Sequence, residues 1–188
     1  MDTQQLRDAI CSAQAGDAAG YEAILRTYNP RLYGYFLRAT GQTHDAEDLL
    51  GELTLRLVRT LGRYDHRGRF EPWLFRIAAN LLRDRFRKSK TRPRPVSLSG
   101  KPDERGDISA RLPGPGLAVD AGLLRREANE QLHEALAHLD DMTREMILLR
   151  HFGQLSFREI ATQFGCPLGT ALARVHRGLK KLRANMEE

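Results

Sequence analysis

Cysteine is nearly missing from this 188-residue chain: Cys11 and Cys166 are the only two. A pair so few and so far apart supports neither a disulfide framework nor a zinc site, so both read as ordinary small apolar residues. Aromatic residues make up only 7% of the chain. No run of eighteen apolar residues occurs, which argues against membrane insertion, and no charged-then-apolar leader opens the chain, which argues against secretion. A cytoplasmic location is expected by default. Period-two alternation of apolar and polar residues, the mark of half-buried strands, is missing as well. So is any glycine-rich phosphate loop or dinucleotide fingerprint. His133-Glu134 is followed by a histidine at 138, one residue off the zinc-protease spacing. No convergent catalytic set remains, and the expectation is a protein with no catalysis of its own, no cofactor and no metal.

Basic charge, by contrast, is abundant. The net charge is +6, and mean hydropathy is −0.50. Such a balance favours a polyanionic partner. Its placement is uneven. Arg83, Arg85, Arg87, Lys88, Lys90, Arg92 and Arg94 face a single acid, Asp84, while Asp45, Glu47, Asp48 and Glu52 stand together without lysine or arginine. The two patches point to different partners. An acidic helix face also reads as simply solvated, and that alternative stays open here.

The apolar periodicity is helical almost throughout. Tyr21, Ile24, Leu25, Tyr28, Leu32 and Phe36 form one stripe, and Ala46, Leu49, Leu50, Leu53, Leu57 and Leu61 a second, capped by Thr43 or His44. Trp73, Leu74, Ile77, Ala78 and Leu81 form a third, opened by Pro72. Gly62 to Phe70 reads as an exposed loop. Between Ser89 and Ala118 lie five of the eight prolines with several glycines, the composition of a linker. Beyond it, Leu124, Ala128, Leu132, Leu136 and Leu139 start a second helical unit. The expected fold is therefore all-α, with two helical domains at 1–88 and 120–188 joined by a flexible Pro/Gly-rich linker at 89–119.

Residues 155–183 carry the strongest local signal. Ser156 and Glu159 make a capping box; Ile160, Ala161 and Phe164 give a short apolar face; Gly165 supplies the positive-φ end of the helix. Pro167 suits the first position of a following helix. In that helix Leu168, Leu172, Val175, Leu179, Leu182 and Met186 recur at spacings of four and three and predict a buried seam. Arg174, Arg177 and Lys181 lie on the polar side. A helix-turn-helix with a basic second helix fits the DNA major groove, though helix pairs joined by a glycine turn also occur in proteins that never touch DNA.

Taken together, the two units resemble an RNA polymerase sigma factor of the sigma-70 family, extracytoplasmic-function (ECF, group IV) type. Asn29-Pro-Arg-Leu-Tyr-Gly-Tyr-Phe-Leu-Arg38 and Asp45-Ala-Glu-Asp-Leu-Leu-Gly-Glu52 are similar to conserved regions 2.1 and 2.2. Phe70-Glu-Pro-Trp-Leu-Phe-Arg-Ile-Ala-Ala-Asn-Leu-Leu-Arg-Asp-Arg-Phe-Arg87 is similar to regions 2.3 and 2.4, and Thr143 to Arg183 to region 4. The resemblance implies three surfaces. Asp45, Asp48, Leu49, Glu52 and Leu53 would contact the β′ clamp helices of core RNA polymerase, with Leu49 and Leu53 divided between core and contact. Arg63, His66, Arg69, Trp73, Arg76, Asn80 and Arg83 would capture the single-stranded −10 element, the loop 63–69 cradling a flipped base. Trp73 reads equally as a core residue of its helix. Arg158, Thr170, Arg174 and Arg177 would read the −35 element, with Arg144 and Lys181 on phosphates. The implied partners are core polymerase (β′ clamp helices and β flap), promoter DNA and an anti-sigma factor. Two positions depart from the family pattern: Ala171-Leu172-Ala173 replaces the usual Val-Lys-Ser, and Gly51 replaces Gln. The rival reading is a stand-alone helix-turn-helix repressor or activator, which would need a dimer helix that the sequence does not offer.

Overall fold

The computed structural model describes residues 1–66, 68–91 and 130–187. Every regular element among them is helical. The helices are α1 (Thr3–Gln14), α2 (Ala18–Thr40), α3 (Thr43–Leu61), α4 (Phe70–Thr91), α5 (130–137), α6 (Asp141–Phe152), α7 (Phe157–Phe164) and α8 (Leu168–Glu187). Helix α4 runs to Thr91, beyond the boundary expected at 88. Residues 92–129, with most of the expected linker and with Leu124 and Ala128, lie outside the described residues.

Local chemistry accounts for the helix ends. Asp2 and Gln5 form a reciprocal capping box that starts α1, although no helix was read there from sequence. Asp17 caps α2, which ends at Gly41 with φ 72°. Helix α3 departs from expectation. Its N-cap is Gln42, which makes no side-chain cap bond, and neither Thr43 nor His44 fills that role.

Helix α2 is the hub, packing against α1, α3, α4 and α6. Ile24, Leu32, Tyr35 and Phe36 on α2 are fully enclosed, as are Leu53, Leu57, Leu74 and Phe75 from α3 and α4. The core does not stop at the end of the N-terminal helices. It continues through Leu136, Met146, Leu149, Leu155 and Ile160, so the described parts of the two expected units share one apolar interior. Gly34 makes the close approach possible, because a Cβ there would meet the Phe152 ring at 3.0 Å. Gly153 similarly lies against Phe75, where an added Cβ would come within 2.9 Å.

The seam expected on α8 is corrected by the structure. Of the expected seam, Val175 is buried and Leu182 half-buried, but Leu168, Leu172, Leu179 and Met186 are all at least two-fifths exposed, while Ala171 is buried and Gly178 faces α6. A Cβ on Gly178 would lie 2.4 Å from Thr143 Cγ2 and 2.8 Å from Ile147 Cδ1. Two helices this close bury their smallest residues, and the larger leucines are left at the margin. Pro167 also stands one position earlier than expected, its carbonyl accepting from the Thr170 and Ala171 amides ahead of α8.

Candidate nucleic-acid interface

The α7–turn–α8 unit is built by its caps. Ser156 Oγ accepts from the Glu159 amide at 3.3 Å, and the Glu159 carboxylate accepts from the Ser156 amide at 2.8 Å and hydroxyl at 2.7 Å. Burial opposes the charge on Glu159, but these bonds, with Arg69 and Arg76 nearby, hold its carboxyl below the usual range. Gly165, at φ 60°, then reverses the chain into α8. Ala171, one of the departures from the family pattern, is fully buried here, so its small size serves the close packing of α8.

The six residues expected to read the −35 element fall into two groups. Arg158, Thr170 and Arg177 are exposed on the outer surface. The others are tied to the α5–α6 junction. Arg144 is mostly enclosed and donates to the carbonyls of Leu136 at 2.9 Å and Leu139 at 3.0 Å, satisfying the end of α5. Arg174 donates to Asp140 Oδ1 at 3.2 Å and Thr143 Oγ1 at 3.4 Å. Lys181 Nζ reaches the His138 carbonyl at 2.8 Å. Arg144 in particular is engaged as a helix-end cap, a role its sequence position did not announce.

The residues expected at the −10 element converge on one face. Arg76 and Asn80 are exposed on successive turns of α4, and Arg63 and Arg69 are exposed in the preceding loop. Trp73 stands where its reading as a core residue of α4 places it. Half-buried against the core, it also stacks on Tyr64 at 4.4 Å between ring centroids and lies 5.5 Å from Phe70. His66 sits beside Tyr64, with Nδ1 3.4 Å from the phenol oxygen.

Arg83, on that same face, is covered by the C-terminal helices. Its guanidinium is 3.0 Å from Glu145 of α6 and lies over the Phe164 ring of α7 at 4.4 Å. Glu145 is largely enclosed, and burial pushes its carboxyl above the usual range although Arg83 pulls the other way. Arg69 pairs with Glu159 at 3.4 Å. Arg31 of α2 grips Glu71 through two bonds of 3.0 Å and also donates to the Phe152 carbonyl. Sequence reasoning missed Glu145 and Arg31, because each acts through a partner distant in the chain.

On α3, Asp45, Asp48 and Glu52 lie on the outer side, half-buried or exposed. Arg85 of α4 already engages Asp45 and sits 3.6 Å from Asp48. The basic run beginning at Arg83 is therefore partly neutralised from within: Arg83 by Glu145, Arg85 by Asp45, and Arg87 by Asp84 at 3.0 Å. Leu49 and Leu53 are 1% and 0% exposed, core residues in this arrangement. The apolar side chains that α3 does present are Leu55 and Val58, at 61% and 49%, which the sequence reading passed over.

Among the described residues, every regular element is helical, with a capped helix-turn-helix near the C-terminus and an aromatic, arginine-flanked loop before α4, features compatible with a nucleic-acid-binding protein. Comparison with known proteins makes this specific. The family model for Sigma-70 region 2 matches residues 24–92, and that for Sigma-70 region 4 matches residues 129–182. RNA polymerase sigma factor CarQ of Myxococcus xanthus is 32% identical over 173 residues, covering 92% of each chain. ECF RNA polymerase sigma factor SigW of Bacillus subtilis is 27% identical over 183 residues, covering 97% of each. Among solved structures, CnrH in complex with the cytosolic domain of CnrY superposes with a TM-score of 0.64 at 22% identity, covering 97% of each chain, a likeness of fold. The chain belongs to the sigma-70 family of RNA polymerase sigma factors, in its ECF branch. It is a transcription initiation factor, and the stand-alone regulator reading falls away.

Proposed function

We propose that the three surfaces divide promoter-specific initiation among them. The outer face of α3, with Asp45, Asp48 and Glu52 beside the exposed Leu55 and Val58, docks on the β′ clamp helices of core polymerase. The loop 63–69 and the α4 face of Trp73, Arg76, Asn80 and Arg83 take the unstacked −10 strand, combining an aromatic surface with phosphate neutralisation. Helix α8 reads the −35 element through Arg177 and Thr170, with Arg158 of α7 alongside. Arg174 and Lys181 of α8 tie it to the α5–α6 junction, which Arg144 of α6 closes. The chain performs no catalysis of its own and works in the cytoplasm, where polymerase and template are. The proposed division follows the sequence reading, with residues 1–88 for core binding and the −10 element and 120–188 for the −35 element.

The observation that carries this reading is that the loop ring of Tyr64 stacks on Trp73 of α4, with Arg76 and Asn80 exposed on the next turns of that helix. The same geometry marks the described arrangement as a closed one. Arg83 is held by Glu145 and Phe164, so the C-terminal helices must move off α4 before a DNA strand reaches it. An anti-sigma factor would favour the closed form. The open apolar groove of about 720 Å³ among Leu132, Leu136, Ile147, Val175, Leu179 and Leu182, with Arg38 and Arg150 at its edge, is the surface it would cover. Run-off transcription with purified bacterial core polymerase on a promoter pool randomised at both elements tests the division. Discrete transcripts with base preferences at −10 and −35 support it. Core binding without promoter-dependent transcripts would refute the assigned DNA surfaces.

A further inference from the structure

Helix α1 lies outside the matched Sigma-70 region 2 segment, which begins at residue 24. Its last residue nevertheless reaches into the base-capturing loop. Gln14 Nε2 donates to the Leu61 carbonyl at 3.0 Å and to the Tyr64 carbonyl at 2.7 Å. The first, at the end of α3, also accepts from the Tyr64 amide at 3.0 Å, so Gln14 joins a turn already closed on that carbonyl, and the second belongs to the loop itself. We propose that Gln14 is a positioning residue for the −10 element, fixing the backbone from which Tyr64 and His66 present their rings beside Trp73 of α4. The proposal rests on assigning loop 63–69 to a flipped base.

Three observations support it. First, α1 is a rigid anchor. Its start is locked by the Asp2–Gln5 capping box, and Ile10 and Ala13 are buried. Gly20 of α2 lies so close that a Cβ there would be 2.3 Å from the Ala13 amide nitrogen. Second, holding the Tyr64 carbonyl orients the only aromatic ladder next to the loop among the described residues: Tyr64 on Trp73 at 4.4 Å and on Phe70 at 5.5 Å, with His66 at 5.9 Å. Third, His66 Nε2 is enclosed and makes no hydrogen bond. In a loop otherwise tied down by Gln14 and Tyr64, an unsatisfied ring nitrogen calls for an explanation, and the edge of a nucleobase supplies one.

Gln14 itself is exposed, so its two bonds contribute more to loop geometry than to global stability. The test uses the intact chain with core polymerase on the same randomised promoter pool, comparing wild type, Gln14→Glu and Gln14→Lys. Glu is isosteric but presents oxygens to two carbonyls; Lys keeps donors. Q14E is expected to lower discrimination at one −10 position by roughly ten-fold, the equilibrium weight of one or two neutral hydrogen bonds. The −35 preference, core affinity and melting temperature should stay as in wild type, and Q14K should retain the wild-type profile. An unchanged Q14E profile, loss of −10 and −35 preferences together, or Q14K tracking Q14E would each overturn the proposal. Absence of any −10 preference in the wild type would instead remove the loop assignment, and the role of Gln14 with it.

Discussion

Reversing the charge at Glu145 should open the closed arrangement, and the structure allows the size of the effect to be worked out. Arg83 and Glu145 lie 3.0 Å apart, with side chains 34% and 12% exposed. At that distance their gross attraction is about 5 kcal/mol for an effective dielectric near 20, and desolvation offsets most of it. Burial already holds the Glu145 carboxyl above its usual range, so the ionised pair contributes little net stability. Glu145→Gln, which keeps the shape and removes the charge, is therefore expected to leave closure unchanged or slightly tighter. Glu145→Lys is different. It places two cations in contact in a site that Phe164 closes on one side, and a cost of about 3 kcal/mol follows even after the side chains relax. That shifts the closing equilibrium by more than a hundred-fold.

Energy transfer between dyes at Cys11, exposed on α1, and at His176→Cys, exposed on α8, reports the separation, with Cys166→Ser removing the second native thiol. The Lys variant should show a marked loss of transfer and tighter binding to core polymerase, because the fraction able to bind rises. The double variant R83E/E145K should regain transfer, since the pair is restored in reverse. Undiminished transfer in a Lys variant that melts normally would refute the argument that this pair governs closure.

Other outcomes follow from the same contacts. Glu145 should also make closure pH-dependent. A carboxyl whose pKa is higher folded than unfolded contributes stability in full below the unfolded value and loses it as pH rises through the folded value. Closure should therefore weaken as pH climbs above the ordinary glutamate value of 4.5, and the difference between wild type and Glu145→Gln, followed by energy transfer, isolates that slope. Gly178→Ala should cost about 1–3 kcal/mol by forcing α8 away from Thr143 and Ile147, read as a lower urea midpoint. Ser156→Ala removes the capping box of α7 and should cost about 1 kcal/mol in the same assay. Arg177→Ala should weaken −35 preference without changing the urea midpoint, whereas Arg144→Ala should lower the midpoint, since its guanidinium closes the end of α5.

What could be read from the chain follows a physical line. Helix ends made by neighbours in sequence were legible: Ser156 with Glu159, and Gly165 with its positive φ, needed no knowledge of the fold. The apolar stripes of α2, α3 and α4 were legible for the same reason, since a helix places residues three and four apart on one face. Helix α8 was misread because the rule that larger apolar residues go inside fails where two helices touch. At the contact with α6 Gly178 leaves the room, Ala171 and Val175 are buried on the same helix, and Leu172 and Leu179 are exposed. Leu49 and Leu53 were given a share in the partner surface by the family resemblance, whereas their helical spacing alone put them in the apolar stripe, where the structure buries them.

The charge clusters carry the less obvious lesson. Counting residues made the Arg83 run and the Asp45 group look like separate surfaces for separate partners. In the fold Arg85 engages Asp45 across α3 and α4, while Arg83 and Arg69 turn to Glu145 and Glu159 of the C-terminal helices. A charge pattern is thus ambiguous between a partner surface and an internal clamp, and here the same side chains are assigned to both. If so, engaging DNA or polymerase exchanges one ion pair for another instead of creating a new one. The net electrostatic gain is then smaller than the charge count suggests. The ion pair that closure encloses contributes little net stability and is screened only weakly by salt, whereas phosphate contacts weaken steeply with salt. Raising ionic strength should therefore favour the closed chain over the DNA-bound one, and in a salt titration of promoter binding Glu145→Lys should keep a roughly constant advantage over wild type, because closure lowers the competent fraction by a factor that salt hardly changes.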